Sequence, residues 1–111
     1  MNPPGPMSPL RDQPSRWDHL LQDGAPVLAL APMQDVTDLP FWRLLSRYGG
    51  PDVYWTEYSR VHSTSTIDRP IITSLLKNPT GRPAVAQLIG NDIPSLVRAA
   101  RELTQLPVAA V

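Results

Sequence analysis

Four short apolar segments recur at nearly even intervals, and this rhythm constrains the fold more than any other feature of the chain. They begin at Val27, Val53, Ala84 and Val108, separated by 26, 31 and 24 residues. Intervals of that length leave room for a helix between successive strands, and such crossovers force the strands to lie parallel. Val27-Leu28-Ala29-Leu30-Ala31-Pro32-Met33 is a continuous apolar run, which predicts a strand buried on both faces. Val53-Tyr54-Trp55-Thr56 is rich in β-branched and aromatic residues, Ala84 to Ile89 is apolar again, and Val108 to Val111 begins a fourth strand.

The intervals carry helix signals. Thr37 or Asp38 is placed to cap a helix with Pro40 in its first turn, where the missing N–H costs little. Leu39, Trp42, Leu45 and Tyr48 would form its buried stripe, and Gly49-Gly50 would end it. The stretch from Tyr58 to Thr80 holds a short helix near Ile71 to Leu76, followed by a turn over Asn78 to Pro83. Asp92 caps the last helix, whose Ile93, Leu96, Val97, Ala100 and Leu103 follow helical spacing until Pro107.

Two architectures share this alternation: a doubly wound sheet and a (β/α)8 barrel. A dinucleotide-binding unit carries a glycine-rich first turn, whereas Pro32-Met33-Gln34-Asp35-Val36 contains no glycine. The sequence stops at Val111 inside an apolar strand, and a barrel takes about 250 residues. The expectation is an α/β chain forming the N-terminal part of a TIM barrel: about four βα-unit strands over residues 25–111, an incomplete barrel.

Composition bears on what precedes that region. Of 14 prolines, Pro3, Pro4, Pro6, Pro9 and Pro14 crowd the start, so residues 1–24 read as a disordered Pro-rich leader, with an SH3-type ligand as the alternative. The leader has neither the basic start nor the apolar centre of a secretory signal. The longest apolar run, Ala25 to Met33, is far short of the ~20 residues that span a bilayer. Proline at the middle of Asn78-Pro79-Thr80 blocks glycosylation. No membrane partner and a cytoplasmic location follow as expectations. Zero formal net charge excludes the basic signature of a stand-alone nucleic-acid binder. The absence of cysteine excludes disulfides, thiolate metal sites and a catalytic thiol within these residues.

Ligands of parallel α/β folds bind at the C-terminal strand ends, here Met33-Gln34, Glu57 and Gln87. Gln87 interrupts an otherwise apolar strand, where an amide is costly to bury without partners. Its donor and acceptor suit the edge of a flavin or a nucleobase, although a glutamine bonded to neighbouring backbone satisfies the same pattern. Glu57 either positions a ligand or caps the next turn. Met33, after Pro32, either fills the core or brings its backbone against a planar ring. His62 reads as a solvated loop residue, Arg43 and Arg47 as a solvated helix face, and Trp42 and Trp55 as core. No spacing supports a metal site, and Gly90-Asn91-Asp92 is a weak anion site.

The string Leu30-Ala31-Pro32-Met33-Gln34-Asp35-Val36-Thr37-Asp38-Leu39-Pro40-Phe41, then Thr56-Glu57-Tyr58, then Val85-Ala86-Gln87-Leu88-Ile89-Gly90, resembles the tRNA-dihydrouridine synthases in order and spacing. The resemblance extends from Val27 to Val111; the more usual form has Ala-Gly where this chain has Gln34-Asp35. It implies a flavin-binding TIM barrel followed by a helical domain. FMN, reduced by NADPH, would pass hydride to the 5,6 double bond of a uridine in tRNA. It assigns FMN contacts to Pro32, Met33, Gln34 and Gln87. The family's general acid is a cysteine in an Asn-x-Gly-Cys-Pro motif after the fourth strand, beyond Val111. The resemblance therefore implies an N-terminal part of such an enzyme, inactive on its own. A non-catalytic truncated product and another FMN barrel oxidoreductase are the alternatives; the Val36-Thr37-Asp38-x-Pro40-Phe41 turn argues against the latter.

Overall fold

The computed structural model describes residues 24–111. The leader expected over residues 1–24 lies outside the described residues, Gly24 excepted. Among them, helix α1 spans Leu39–Arg47, strand β1 Tyr54–Arg60, helix α2 Arg69–Leu76, strand β2 Ala84–Ile89 and helix α3 Ile93–Leu103. β1 and β2 pair in parallel, joined by α2 as a βα crossover.

The other two expected strands are present as single parallel bridges, not as strands. Ala29 bridges Val53, and Ala110 bridges Val85. Leu30 N–H donates to Val53 O at 2.9 Å, and Ala109 N–H to Ala84 O at 2.8 Å. The sheet order is thus sequential, from the segment at Ala29 through β1 and β2 to the segment at Ala110. A doubly wound sheet reverses direction at a switch point, and no reversal occurs among the described residues. The first segment also departs from the expected two-sided burial, with Leu28 64% exposed. Its ladder is cut short at Pro32, which has no N–H to donate, and among the described residues it has a strand neighbour on one side only.

β1 runs four residues beyond the expected Thr56. The extension works because its polar side chains are satisfied. The register slips between Trp55 and Tyr58, and Thr56, 1% exposed, accepts the Gln87 N–H on its Oγ1 at 3.0 Å. That side chain replaces a main-chain acceptor at the bulge. Ser59, fully buried, accepts the Asp68 N–H at 3.1 Å and so ties β1 to the start of α2.

The helices lie against one face of the sheet. Tyr54, Ala84 and Ala86 join Trp42, Ile71, Leu75, Ala99, Leu103 and Val108 in one core. In α1, Asp38 caps by accepting the Phe41 N–H at 3.2 Å, and buried Trp42 tilts against the Tyr54 ring at 5.2 Å. Tyr48, expected in the stripe, is 83% exposed. It is the C-cap residue, where the helical period no longer applies. α2 begins two residues before the expected Ile71. In α3 the row facing the sheet is Ser95, Ala99 and Leu103, whereas Ile93 and Val97 of the expected stripe are exposed. The small side chains of Ser95 and Ala99 let the helix approach the sheet, which turns Ile93 and Val97 to its flank.

Gly90 ends β2 where the chain passes the backbone of β1. A Cβ at Gly90 would stand 2.6 Å from the Val61 carbonyl oxygen. Gly90→Ala should lower stability by about 1–3 kcal/mol, the usual cost of overpacking, seen as a reduced urea midpoint; an unchanged midpoint would contradict this close approach. A second expectation concerns Tyr54. Burial raises its hydroxyl above the ordinary 10.0, partly opposed by the Arg82 guanidinium. The unfolded chain therefore ionises this group first as pH rises. The stability it contributes is intact below about pH 10 and is lost as pH climbs through the folded value. Tyr54→Phe should flatten that alkaline fall in the urea midpoint.

Candidate functional site

The C-terminal ends of parallel strands all point one way, so Met33-Gln34, the end of β1 and the end of β2 share one rim. Register partners lie on the same face of a sheet. Tyr54 and Ala84 are partners in the helix-side core, so the partners Trp55 and Val85 face the opposite side. Past the bulge, Tyr58 pairs with Gln87 and shares that opposite face, while Ser59 turns toward α2. The Gln87 side chain thus stands half-buried on the helix-free face near the strand ends. Its backbone N–H is consumed by Thr56, which leaves the side-chain amide as the group it offers.

Met33 and Gln34 are set by the turn that follows. Thr37, 4% exposed, accepts the Met33 N–H on Oγ1 at 2.9 Å and donates its hydroxyl to the Met33 carbonyl at 3.2 Å. The Val36 and Thr37 N–H groups converge on that same carbonyl at 3.1 and 3.0 Å. The Met33 peptide groups are therefore engaged, and what it presents outward is its 61% exposed side chain. The Met33 backbone therefore has no free N–H to donate, and the group it leaves uncovered is the thioether side chain. Asp35 turns the chain with a φ of 64°, a conformation that Asp tolerates better than most residues. Pro32 and Gln34 are exposed beside it.

Tyr58 joins these pieces. Its hydroxyl donates to Gln34 Oε1, linking the first turn to the rim of β1, and the Arg60 guanidinium lies 5.7 Å from its ring centroid. Gln34 and Gln87 are thereby brought to one rim on either side of Tyr58. Tyr58 lies in the Thr56-Glu57-Tyr58 string, which by itself gives it no role. The available signal was its position two residues after Thr56, beyond the strand end expected from β propensity.

Glu57 lies inside β1, not after it. Its Oε1 is buried with no hydrogen-bond partner among the described residues, so it caps no turn there. It lines a concavity of about 370 Å³ with Gln34, Asp35, Tyr58, Asp68 and Arg69. A buried carboxylate oxygen without a donor is costly, which fits it to a ligand's hydroxyl or N–H. His62 is exposed in a loop whose carbonyls at His62, Ser63 and Ser65 all accept from Arg98 at 3.1 Å. Arg98 fixes that loop at the strand ends; neither residue was expected to do so. Arg43 and Arg47 are exposed, and Trp42 is core, whereas Trp55 is half-buried on the helix-free face. Among the described residues no group of three His, Asp or Glu could hold a metal, and no helix is long and apolar enough to cross a membrane.

In parallel α/β folds ligands bind at the C-terminal strand ends, which is where this chain places Gln34 and Gln87. The family is narrower. The sequence profile described as dihydrouridine synthase matches residues 29–111, and the chain belongs to that family. It is 36% identical over 80 residues to the tRNA-dihydrouridine(16/17) synthase, NAD(P)(+), of Schizosaccharomyces pombe, covering 70% of this chain and 20% of that protein. It is 47% identical over 38 residues to the probable tRNA-dihydrouridine synthase 2 of Bacillus subtilis, covering 34% of this chain and 12% of that protein. The chain thus spans a fifth or less of the curated relatives it matches. No solved structure matches it.

Thr37→Val should leave the Met33 N–H without its acceptor and cost about 1–3 kcal/mol, while Thr37→Ser should retain most of the stability. Equal urea midpoints for the two variants would show that the hydroxyl does not hold the turn.

Proposed function

We propose that these residues form the N-terminal part of an FMN-dependent tRNA-dihydrouridine synthase, contributing one side of its flavin site. The single observation carrying this is the convergence of Gln34 and Gln87 at the strand ends of a chain that belongs to the family. The sequential parallel order fits the opening units of a TIM barrel over residues 25–111. The relatives' names point to tRNA as substrate, and the fission-yeast relative's name to a nicotinamide reductant, for which we take NADPH. Work on tRNA is consistent with a cytoplasmic site of action.

The residues present suit the ring of a flavin. Gln87 supplies donor and acceptor from one amide, matching an edge that alternates carbonyl and N–H groups. Gln34 offers the NH2 of an amide whose oxygen already accepts the Tyr58 hydroxyl. Pro32 and Met33 give an apolar surface beside them, and the Met33 thioether is suited to contact with a ring face. FMN, when bound, would carry reducing equivalents from NADPH to the 5,6 double bond of uridine. The chain's own residues bind and orient; none supplies a proton to uracil. With no cysteine among the 111 residues, the cysteine acid implied by the family resemblance is not assigned here.

FMN titrated into the chain should quench flavin fluorescence saturably and weakly, and Gln87→Ala should weaken binding by about fivefold, one hydrogen bond's worth. An unchanged titration removes Gln87 from the site. The chain with tRNA, FMN and NADPH should form no dihydrouridine by mass spectrometry; turnover would require a proton donor within these residues.

A further inference from the structure

We infer that Tyr58 is a positioning residue, which holds the Gln34 amide so that its NH2 points to an acceptor atom on the bound ligand. The inference rests on the flavin reading for the ligand's identity, but its structural half stands on contacts within the chain. Gln34 is exposed on a turn, and a free glutamine there would sample many rotamers. Three contacts limit it. The Thr37 bonds fix the Met33 peptide immediately before it, at 2.9 and 3.2 Å. The Tyr58 hydroxyl donates to its Oε1. The Arg60 guanidinium, 5.7 Å from the Tyr58 ring centroid, steadies the phenol by a cation–π contact.

The polarity of the Tyr58 bond matters more than its strength. With Oε1 accepting the Tyr58 hydroxyl, the amide keeps one lone pair on that oxygen and two N–H donors on its nitrogen, and the bond fixes which way the nitrogen faces. The ligand atom opposite that NH2 is therefore an acceptor, a carbonyl oxygen or an unprotonated ring nitrogen. A ligand edge carrying an N–H at that point would leave two donors opposed and would be rejected. Gln87, paired in register with Tyr58, keeps both polarities. The rim thus reads one acceptor at the Gln34 end and a mixed edge at the Gln87 end, so it discriminates orientation as well as shape.

The test uses the chain labelled with nitrogen-15, with Tyr58→Phe, Gln34→Ala and the double variant. Gln34→Ala identifies the Gln34 side-chain amide signals. In Tyr58→Phe those signals should move to the positions of a free glutamine while the urea midpoint stays unchanged, an effect that a purely structural role for the tyrosine would not give. FMN affinity should fall by about fivefold in each single variant and no further in the double variant. An unmoved Gln34 amide in Tyr58→Phe overturns the inference, and so does an additive loss in the double variant. If the amide depends on Tyr58 but the unsubstituted chain binds no FMN, the flavin reading falls and the positioning contact stands.

Discussion

The parallel pairing of β1 with β2 is the interaction from which the rest of the structure hangs. Both outer segments bridge to it: Ala29 through Val53 and Ala110 through Val85. Both later helices pack on it, through Ile71 and Leu75 of α2 and Ala99 and Leu103 of α3. The pairing is not a uniform ladder, since it slips between Trp55 and Tyr58. A slip of one residue would ordinarily turn every following side chain to the wrong face. Here it sets them: Thr56 fills the gap with its hydroxyl, Ser59 is turned to the α2 start, and Tyr58 emerges beside Gln87. The bulge is thus the device that brings Tyr58 onto the open face beside Gln87.

Around that device each contributing loop is held by a different hydrogen-bonding group. Thr37 closes the turn after the first segment, and Arg98 of α3 gathers three carbonyls of the loop after β1. A guanidinium suits the second task, because its fan of donors can satisfy several carbonyls at once. Neither residue needs to touch a ligand to matter to the site. They keep the strand-end loops in place, so that Gln34 and Gln87 sit where the sheet puts them.

The βα rhythm was legible because apolar runs and helix caps are local signals: Asp38 and Asp92 cap the helices that they were expected to cap. Gln87 was legible because an amide inside an apolar strand is conspicuous. What escaped depended on pairing between distant segments. The extension of β1 to Arg60 rests on Thr56, whose partner Gln87 lies 31 residues away and outside any local window, and on Ser59, whose hydroxyl is bonded by the Asp68 N–H of the next element rather than by a neighbour in the strand. In α3 the hydrophobic spacing rightly placed Leu96 and Leu103 against the core, but it also favoured Ile93 and Val97, where close approach to the sheet selects Ser95 and Ala99 instead. Tyr58 lies beyond the strand end that β propensity marks, so its place on the sheet is hidden for the same reason as the extension of β1. Family resemblance supplied Pro32, Met33 and Gln34 as candidates but could not show that the Met33 backbone is already engaged by Thr37.

The energetics say what kind of contribution these residues can make. A neutral hydrogen bond is worth about 0.5–1.5 kcal/mol net, and the rim offers two amide side chains, Gln34 and Gln87. Association costs at least about 4 kcal/mol in lost translational and rotational freedom. Two amides and the exposed Met33 side chain therefore cannot hold a cofactor tightly, and tight binding needs further contacts, most naturally charged ones to a phosphate. What two amides on a fixed rim can do is choose among orientations, because a mismatched donor or acceptor loses its own bond and leaves the amide unpaired. In the proposed site their value would lie in that difference, and the Tyr58 bond to Gln34, modest as it is, would bias which edge of a planar ligand meets the Gln34 NH2.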